Sequence, residues 1–91
     1  MNPTEVPFSI NENFDPLKQS PEFRYRLLDR LRSDCEYFFG NGHRNVKYLW
    51  GQDPRTHISL MRKLYSSFDI TERPEWIDLD LISEYENRFL D

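Results

Sequence analysis

Residues 20–40 read SPEFRYRLLDRLRSDCEYFFG, and this stretch decides the fold. The Ser20 hydroxyl can accept from an early backbone N–H, as a helix start requires. Pro21 suits the first helical position, where its missing N–H costs nothing. From there Arg24, Leu27, Leu28, Leu31, Cys35 and Phe38 recur at spacings of three and four, the period of one helix face. Opposite charges four apart, Glu22–Arg26, Arg30–Asp34 and Arg32–Glu36, are placed to pair on the other faces. Gly40 is the expected stop, in left-handed backbone. The pattern predicts a helix from Ser20 to about Phe38.

Moving outward, Gly40–Asn45 is the most loop-like part of the chain. Val46–Trp50 then predicts a short helical turn ended by Gly51. Asp53-Pro54 repeats the cap-plus-proline start. The helix it opens runs to about Ser67, with His57, Leu60, Met61, Leu64, Tyr65 and Phe68 on its apolar stripe. Arg55, Ser59 and Arg62 fall on a different face. Thr71–Pro74 is a break. Asp78 opens the last helix, with Ile77 and Ile82 spaced as a hydrophobic staple. Leu81, Ile82, Tyr85 and Phe89 form its buried side.

On the N-terminal side, residues 1–20 carry Pro3, Pro7 and Pro16 and show no helical period. Val6, Phe8 and Ile10 alternate as in an extended strand. The expectation is an extended arm over 1–20 and a single helical domain over 21–91. The domain is all-α: a small bundle of three main helices plus a short helical turn.

Composition agrees. The chain has 91 residues, seven Phe, five Tyr and two Trp. Aromatics reach 15%, which is unlike a disordered chain and supplies bulk for a small core. No apolar run is long enough to span a membrane. Met1–Asn13 has neither a basic start nor an apolar stretch, so no secretory signal is expected. A single cysteine, Cys35, points to a reducing compartment, and a cytoplasmic location is expected. The net charge of −4 hides a polarity: residues 40–68 carry +4 and residues 69–91 carry −6. Packed side by side, these segments would cancel. Facing apart, they would steer a partner.

The chemistry-bearing residues point away from catalysis. Cys35, His43 and His57 match no zinc or thiol-enzyme spacing, and Cys35 and His57 both lie on apolar stripes. There is no Ser–His–Asp pattern, and the carboxylates of 69–91 are spread around a helix. The expectation is a non-enzyme with no cofactor and no metal. Gly40–Asn45 has the donors of a phosphate cradle but lacks the ending of a P-loop. The candidate partner-binding residues are His43, Arg44, Lys47, Tyr48, Arg55 and Arg62, where cations and aromatics gather. A protein partner is expected; nucleic acid held by the basic 40–63 segment is the alternative. Trp50 and Trp76 are core residues or interface anchors.

Several phrases also carry a family likeness. They are FRYRLLDRLRSDCEYFF at 23–39, GNGHRNVKYLWG at 40–51, HISLMRKLYSSF at 57–68, RPEW at 73–76 and ISEYENRF at 82–89. Taken in this order, they resemble large polyvalent protein-associated domain eleven, a module of phages and conjugative elements, over residues 23–89. The resemblance implies a mobile-element protein acting inside a bacterial cell, with no established catalytic activity or cofactor. It implies a non-catalytic binding module, with a host defence protein as the expected target of an anti-defence or anti-CRISPR inhibitor.

Overall fold

The structure is a computed structural model that describes residues 14–90. The Val6–Ile10 alternation lies outside them. The described chain begins with a 3-10 turn at Pro16–Lys18, capped by Asp15. Phe14 stands edge-on to Phe23 at 5.8 Å, and Leu17 packs against the core.

Three α-helices follow: α1 over Pro21–Phe39, α2 over Pro54–Ser66 and α3 over Leu79–Leu90. Each start is capped as its sequence predicts. Ser20 Oγ accepts from Phe23 N–H at 3.2 Å, Asp53 Oδ2 from Thr56 N–H at 3.1 Å and Asp78 Oδ1 from Leu81 N–H at 2.8 Å. The expected helical turn at 46–50 forms as two consecutive 3-10 turns, Val46–Tyr48 and Trp50–Gln52. The second turn carries left-handed backbone at Gly51 (φ 66°) and Gln52 (φ 55°).

The end of α1 departs from expectation. Gly40 is not left-handed; its φ is −106°. The left-handed residues are His43 (φ 53°) and Arg44 (φ 57°). The orphan carbonyls of the last turn explain this. Gly40 N–H reaches Glu36 and Tyr37 O, Gly42 N–H reaches Tyr37 O at 2.7 Å, and Arg44 N–H reaches Phe38 O at 2.8 Å. The loop thus wraps the helix end over several residues, so the reversal falls later than Gly40. Gly42 is buried against that end.

Helix α2 lies at the centre, packed on α1 and α3. Leu27, Leu28, Leu31 and Cys35 of α1 meet Ile58, Leu60, Met61 and Leu64 of α2 in one core, joined by Phe68, Ile77, Ile82 and Tyr85. Ile77 and Ile82, the staple pair, are both in it. Packing on two sides explains why α2 also buries Ile58, off the expected stripe. Arg24, predicted on the α1 stripe, instead ties helix ends together. It donates to Gln19 O, Ser67 O and Ser67 Oγ, and lies 5.0 Å from the Phe68 ring centre.

Of the three expected ion pairs on α1, Arg30–Asp34 forms at 3.3 Å. Arg32 pairs with Asp29 at 2.9 Å rather than with Glu36. Glu36 instead accepts from the Tyr85 hydroxyl at 2.5 Å, joining α1 to α3. Among the described residues no ion pair joins Glu22 to Arg26; both side chains are exposed, where a pair contributes little.

The close fit of Gly42 gives a test. An added Cβ there would lie 2.8 Å from Tyr37 O and 3.2 Å from Phe38 Cα, both backbone atoms that cannot turn aside. Gly42→Ala is expected to lose about 1–3 kcal/mol in urea denaturation. Gly40→Ala, whose Cβ would meet Glu36 O at 3.3 Å, should lose less. A Gly42→Ala protein as stable as the wild type would contradict this account of the helix end.

Candidate functional site

The loop between α1 and α2 holds most of the candidate partner-binding residues, and one buried histidine holds the loop. His57 is fully buried in α2. Its Nδ1 lies 2.8 Å from the Trp50 amide nitrogen, which can only donate, so Nδ1 accepts. The proton therefore sits on Nε2, which donates to Leu31 O at 2.9 Å. One neutral imidazole thus connects the Trp50 turn, α2 and α1. Burial lowers its pKa below the ordinary histidine value, against the Leu31 bond, which raises it. Cys35 belongs to the core that surrounds it, its Sγ 3.8 Å from Met61 Sδ. Burial pushes this thiol up to about 12, far from the thiolate form that reactive cysteines use. Among the described residues no group of three or more His, Cys, Asp and Glu is placed to hold a metal ion.

With the loop so anchored, its outer side is aromatic. The Tyr48 ring stands edge-on to Tyr37 of α1, centroids 4.9 Å apart. Both remain open to solvent, at 43% for Tyr37 and 38% for Tyr48. The neighbouring Tyr48 raises the Tyr37 phenol above its ordinary pKa. Lys47 Nζ lies 5.5 Å from the Tyr48 ring centre, and Val46 and His43 are exposed on the same loop. Asn45 fixes this turn by accepting from Lys47 N–H at 3.0 Å. Tyr37 is not among the residues that sequence reasoning singles out. Its signal is there all the same: it is an aromatic lying off the Leu27–Phe38 stripe.

The structure places the six candidate residues in different settings. His43, Lys47 and Tyr48 share the exposed loop. Arg55 stands exposed at the start of α2. Arg44 and Arg62 are turned onto α3. Arg44 donates through Nη2 to Arg88 O at 3.3 Å and Phe89 O at 3.4 Å, where the helix end carries partial negative charge. Its guanidinium also lies 5.4 Å from the ring centres of Phe38 and Phe39. Arg62 donates to Glu86 at 2.7 Å and to Ser83 at 3.2 Å. The basic middle and acidic end therefore pack side by side, and both Arg44 and Arg62 are engaged within the fold. Asp69, Glu72, Glu75, Asp78, Asp80 and Glu84 stay exposed.

Both tryptophans are half-buried. Trp76 Nε1 donates to the Tyr25 hydroxyl at 2.6 Å, and the Arg32 guanidinium lies 5.4 Å from its ring centre. Trp50 lines a groove along α2 whose wall includes Asp15 and Leu17. No described helix is long and apolar enough to cross a membrane.

The family model for large polyvalent protein-associated domain 11 matches residues 21–89. No curated protein and no solved structure matches the chain.

The His57 bridge sets a pH dependence. In the unfolded chain the imidazole gains its proton near the ordinary value, about 6.5. In the folded chain it resists, because protonated Nδ1 could no longer accept from Trp50. The stability it supports is thus fully present above that value and falls as pH drops through it, by up to about 1.4 kcal/mol per unit. Urea midpoints should fall between about pH 7 and pH 5.5, and His57→Phe should remove that slope. The same variant should lose about 1–3 kcal/mol at neutral pH, because the Trp50 N–H is left without its acceptor. A wild-type midpoint unchanged over this range would contradict the assignment.

Proposed function

The chain belongs to the large polyvalent protein-associated domain 11 family, and from that premise we propose that it is a non-catalytic protein-binding module. In this reading it comes from a phage or other mobile genetic element and works in the host bacterial cytoplasm. There it binds and inhibits a host defence protein, an anti-defence role of the anti-CRISPR kind. The observation that supports binding is the exposed Tyr37–Tyr48 pair with Lys47 beside it. Aromatic pairs on a fixed backbone lose little entropy on docking, and Tyr is enriched among residues that dominate interface energies. Cys35 and His57, the side chains best suited to chemistry, have their reactive atoms inside the core.

The engaged arginines weigh against nucleic acid as the partner. A phosphate-tracking surface needs several free cations, yet Arg44 and Arg62 hold α3 and the acids of 69–84 are exposed.

The test places a photo-crosslinking amino acid at Tyr48, with the same group at exposed Asp80 as control, in host cells carrying a CRISPR system. A discrete protein adduct at position 48 and none at 80 is expected. The purified partner should bind at a one-to-one ratio, and the double variant Tyr37→Ser, Tyr48→Ser should bind at least about 30-fold more weakly. Co-expression should restore plaque formation by the targeted phage. No protein adduct at 48, or an adduct that nuclease removes, would overturn the reading.

A further inference from the structure

Two features of the surface are not used by the proposed function, and they are complementary. The first is a groove of about 390 Å³ along the outer face of α2, walled by Asp15, Trp50, Arg55, Ser59, Leu60 and Lys63. Trp50 and Leu60 make its floor apolar, and its rim carries two cations. Arg55 and Lys63 stand exposed without an ion-pair partner among the described residues. The one carboxylate on the wall, Asp15, is turned to the Leu17 amide at 2.9 Å.

The second feature is the turn that follows α2. Glu72 N–H donates to Asp69 O at 2.8 Å and closes it, which leaves Ile70 at the tip. Ile70 is 80% exposed, more than any other large apolar side chain among the described residues, so it does not lie in the groove of its own chain. Asp69 and Glu72 flank it, both exposed and in no ion pair among the described residues. Arg73, the cation next in sequence, is turned back into the fold. Its Nε donates to Phe68 O at 3.3 Å, and its guanidinium lies 5.0 Å from the Tyr65 ring centre. The tip therefore presents one apolar side chain between two unpaired carboxylates, on a backbone already fixed.

We propose that the Ile70 turn of one copy docks in the α2 groove of a second copy, with Ile70 on the Trp50–Leu60 floor and Asp69 and Glu72 against Arg55 and Lys63. The charges are opposite on the two surfaces, and on each they flank an apolar centre. The dimensions agree. Arg55 and Lys63, eight residues apart on a helix, are separated by about 12 Å along its axis. Asp69 and Glu72 bound a turn whose ends lie within about 7 Å, their carboxylates splay outward, and the long stems of Arg and Lys lean inward over the apolar floor. A fixed turn also loses little entropy on docking. The contact joins two different surfaces, so each copy offers one of each. It is small, and copies of net charge −4 repel at a distance, so the association is weak and concentration-dependent.

The test is sedimentation equilibrium of the full chain from about 10 µM to about 1 mM, with helical circular dichroism as the control for folding. The weight-average mass of the wild type is expected to rise above that of one chain. Ile70→Ser, the groove reversal Arg55→Glu, Lys63→Glu and the turn reversal Asp69→Lys, Glu72→Lys should each weaken association at least about tenfold with circular dichroism unchanged. The turn reversal takes the net charge from −4 to 0, which by general repulsion alone would strengthen association, so its loss reads the local contact. An equimolar mixture of the two reversed proteins should associate again, since each then meets an opposite surface on the other. Three results would overturn the proposal: a wild type that stays monomeric at about 1 mM, a turn reversal that associates as well as the wild type, or a mixture that stays monomeric. None of these depends on Tyr37 or Tyr48, so the outcome is separate from that of the crosslinking at position 48.

Discussion

A single imidazole with one accepting and one donating nitrogen connects the three parts of the chain on which everything else rests. His57 takes the Trp50 amide on Nδ1 and gives its proton to Leu31. The pair of bonds could not form if the ring were charged or in the other tautomer. The protonation state and the position of the Trp50 turn are therefore one constraint, not two. The surrounding apolar packing enforces it, because a charged imidazole would have to be desolvated among Leu, Met and Cys side chains. A histidine on an apolar stripe reads as core. Here it is core that also shapes the surface, because it fixes a loop of left-handed residues in one position.

The loop is held at its other end by backbone rather than side chain. Gly40, Gly42 and Arg44 return their N–H groups to the last carbonyls of α1. Between these two anchors the chain has little freedom, so Tyr48 is set against Tyr37 and Lys47 against Tyr48. The rigidity matters for binding, because an aromatic already in place gives up less entropy on docking than one on a wandering loop.

Much of the helical architecture was legible in the sequence. Three caps announced three helix starts, and Leu27, Leu28, Leu31, Cys35, Met61, Leu64, Ile82 and Tyr85 fell where their periods put them. What could not be read depends on contacts between elements. Arg32 was expected to pair with Glu36, but Glu36 is claimed by Tyr85, far away in the sequence. The left-handed stop was expected at Gly40 because glycine is the usual choice, yet the carbonyls of the last turn move it to His43 and Arg44. At the candidate site, periodicity placed Tyr37 off the apolar face but could not say that Tyr48 would stand beside it. Nor can spacing distinguish an arginine that faces a ligand from one that faces another helix, and that difference divided Arg44 and Arg62 from Lys47 and Arg55.

That division bears on what kind of recognition so small a domain can offer. Three short helices are unstable alone, and the long cationic side chains between 40 and 68 help to join them, at the C-terminal end of α3 and along its flank. A cation engaged in this way has little left for a partner. Pairs as exposed as Arg62–Glu86, whose side chains are 37% and 45% open, contribute at most about 1 kcal/mol. An aromatic anchor buried at an interface contributes at least about 2 kcal/mol. The aromatic edge is thus the stronger resource on this surface, and the remaining charges bias the approach of a partner more than they hold it. With the acids of 69–84 exposed and the basic segment partly folded onto α3, the binding role proposed above would be served by a partner with a positive surface around the pocket that takes the tyrosines.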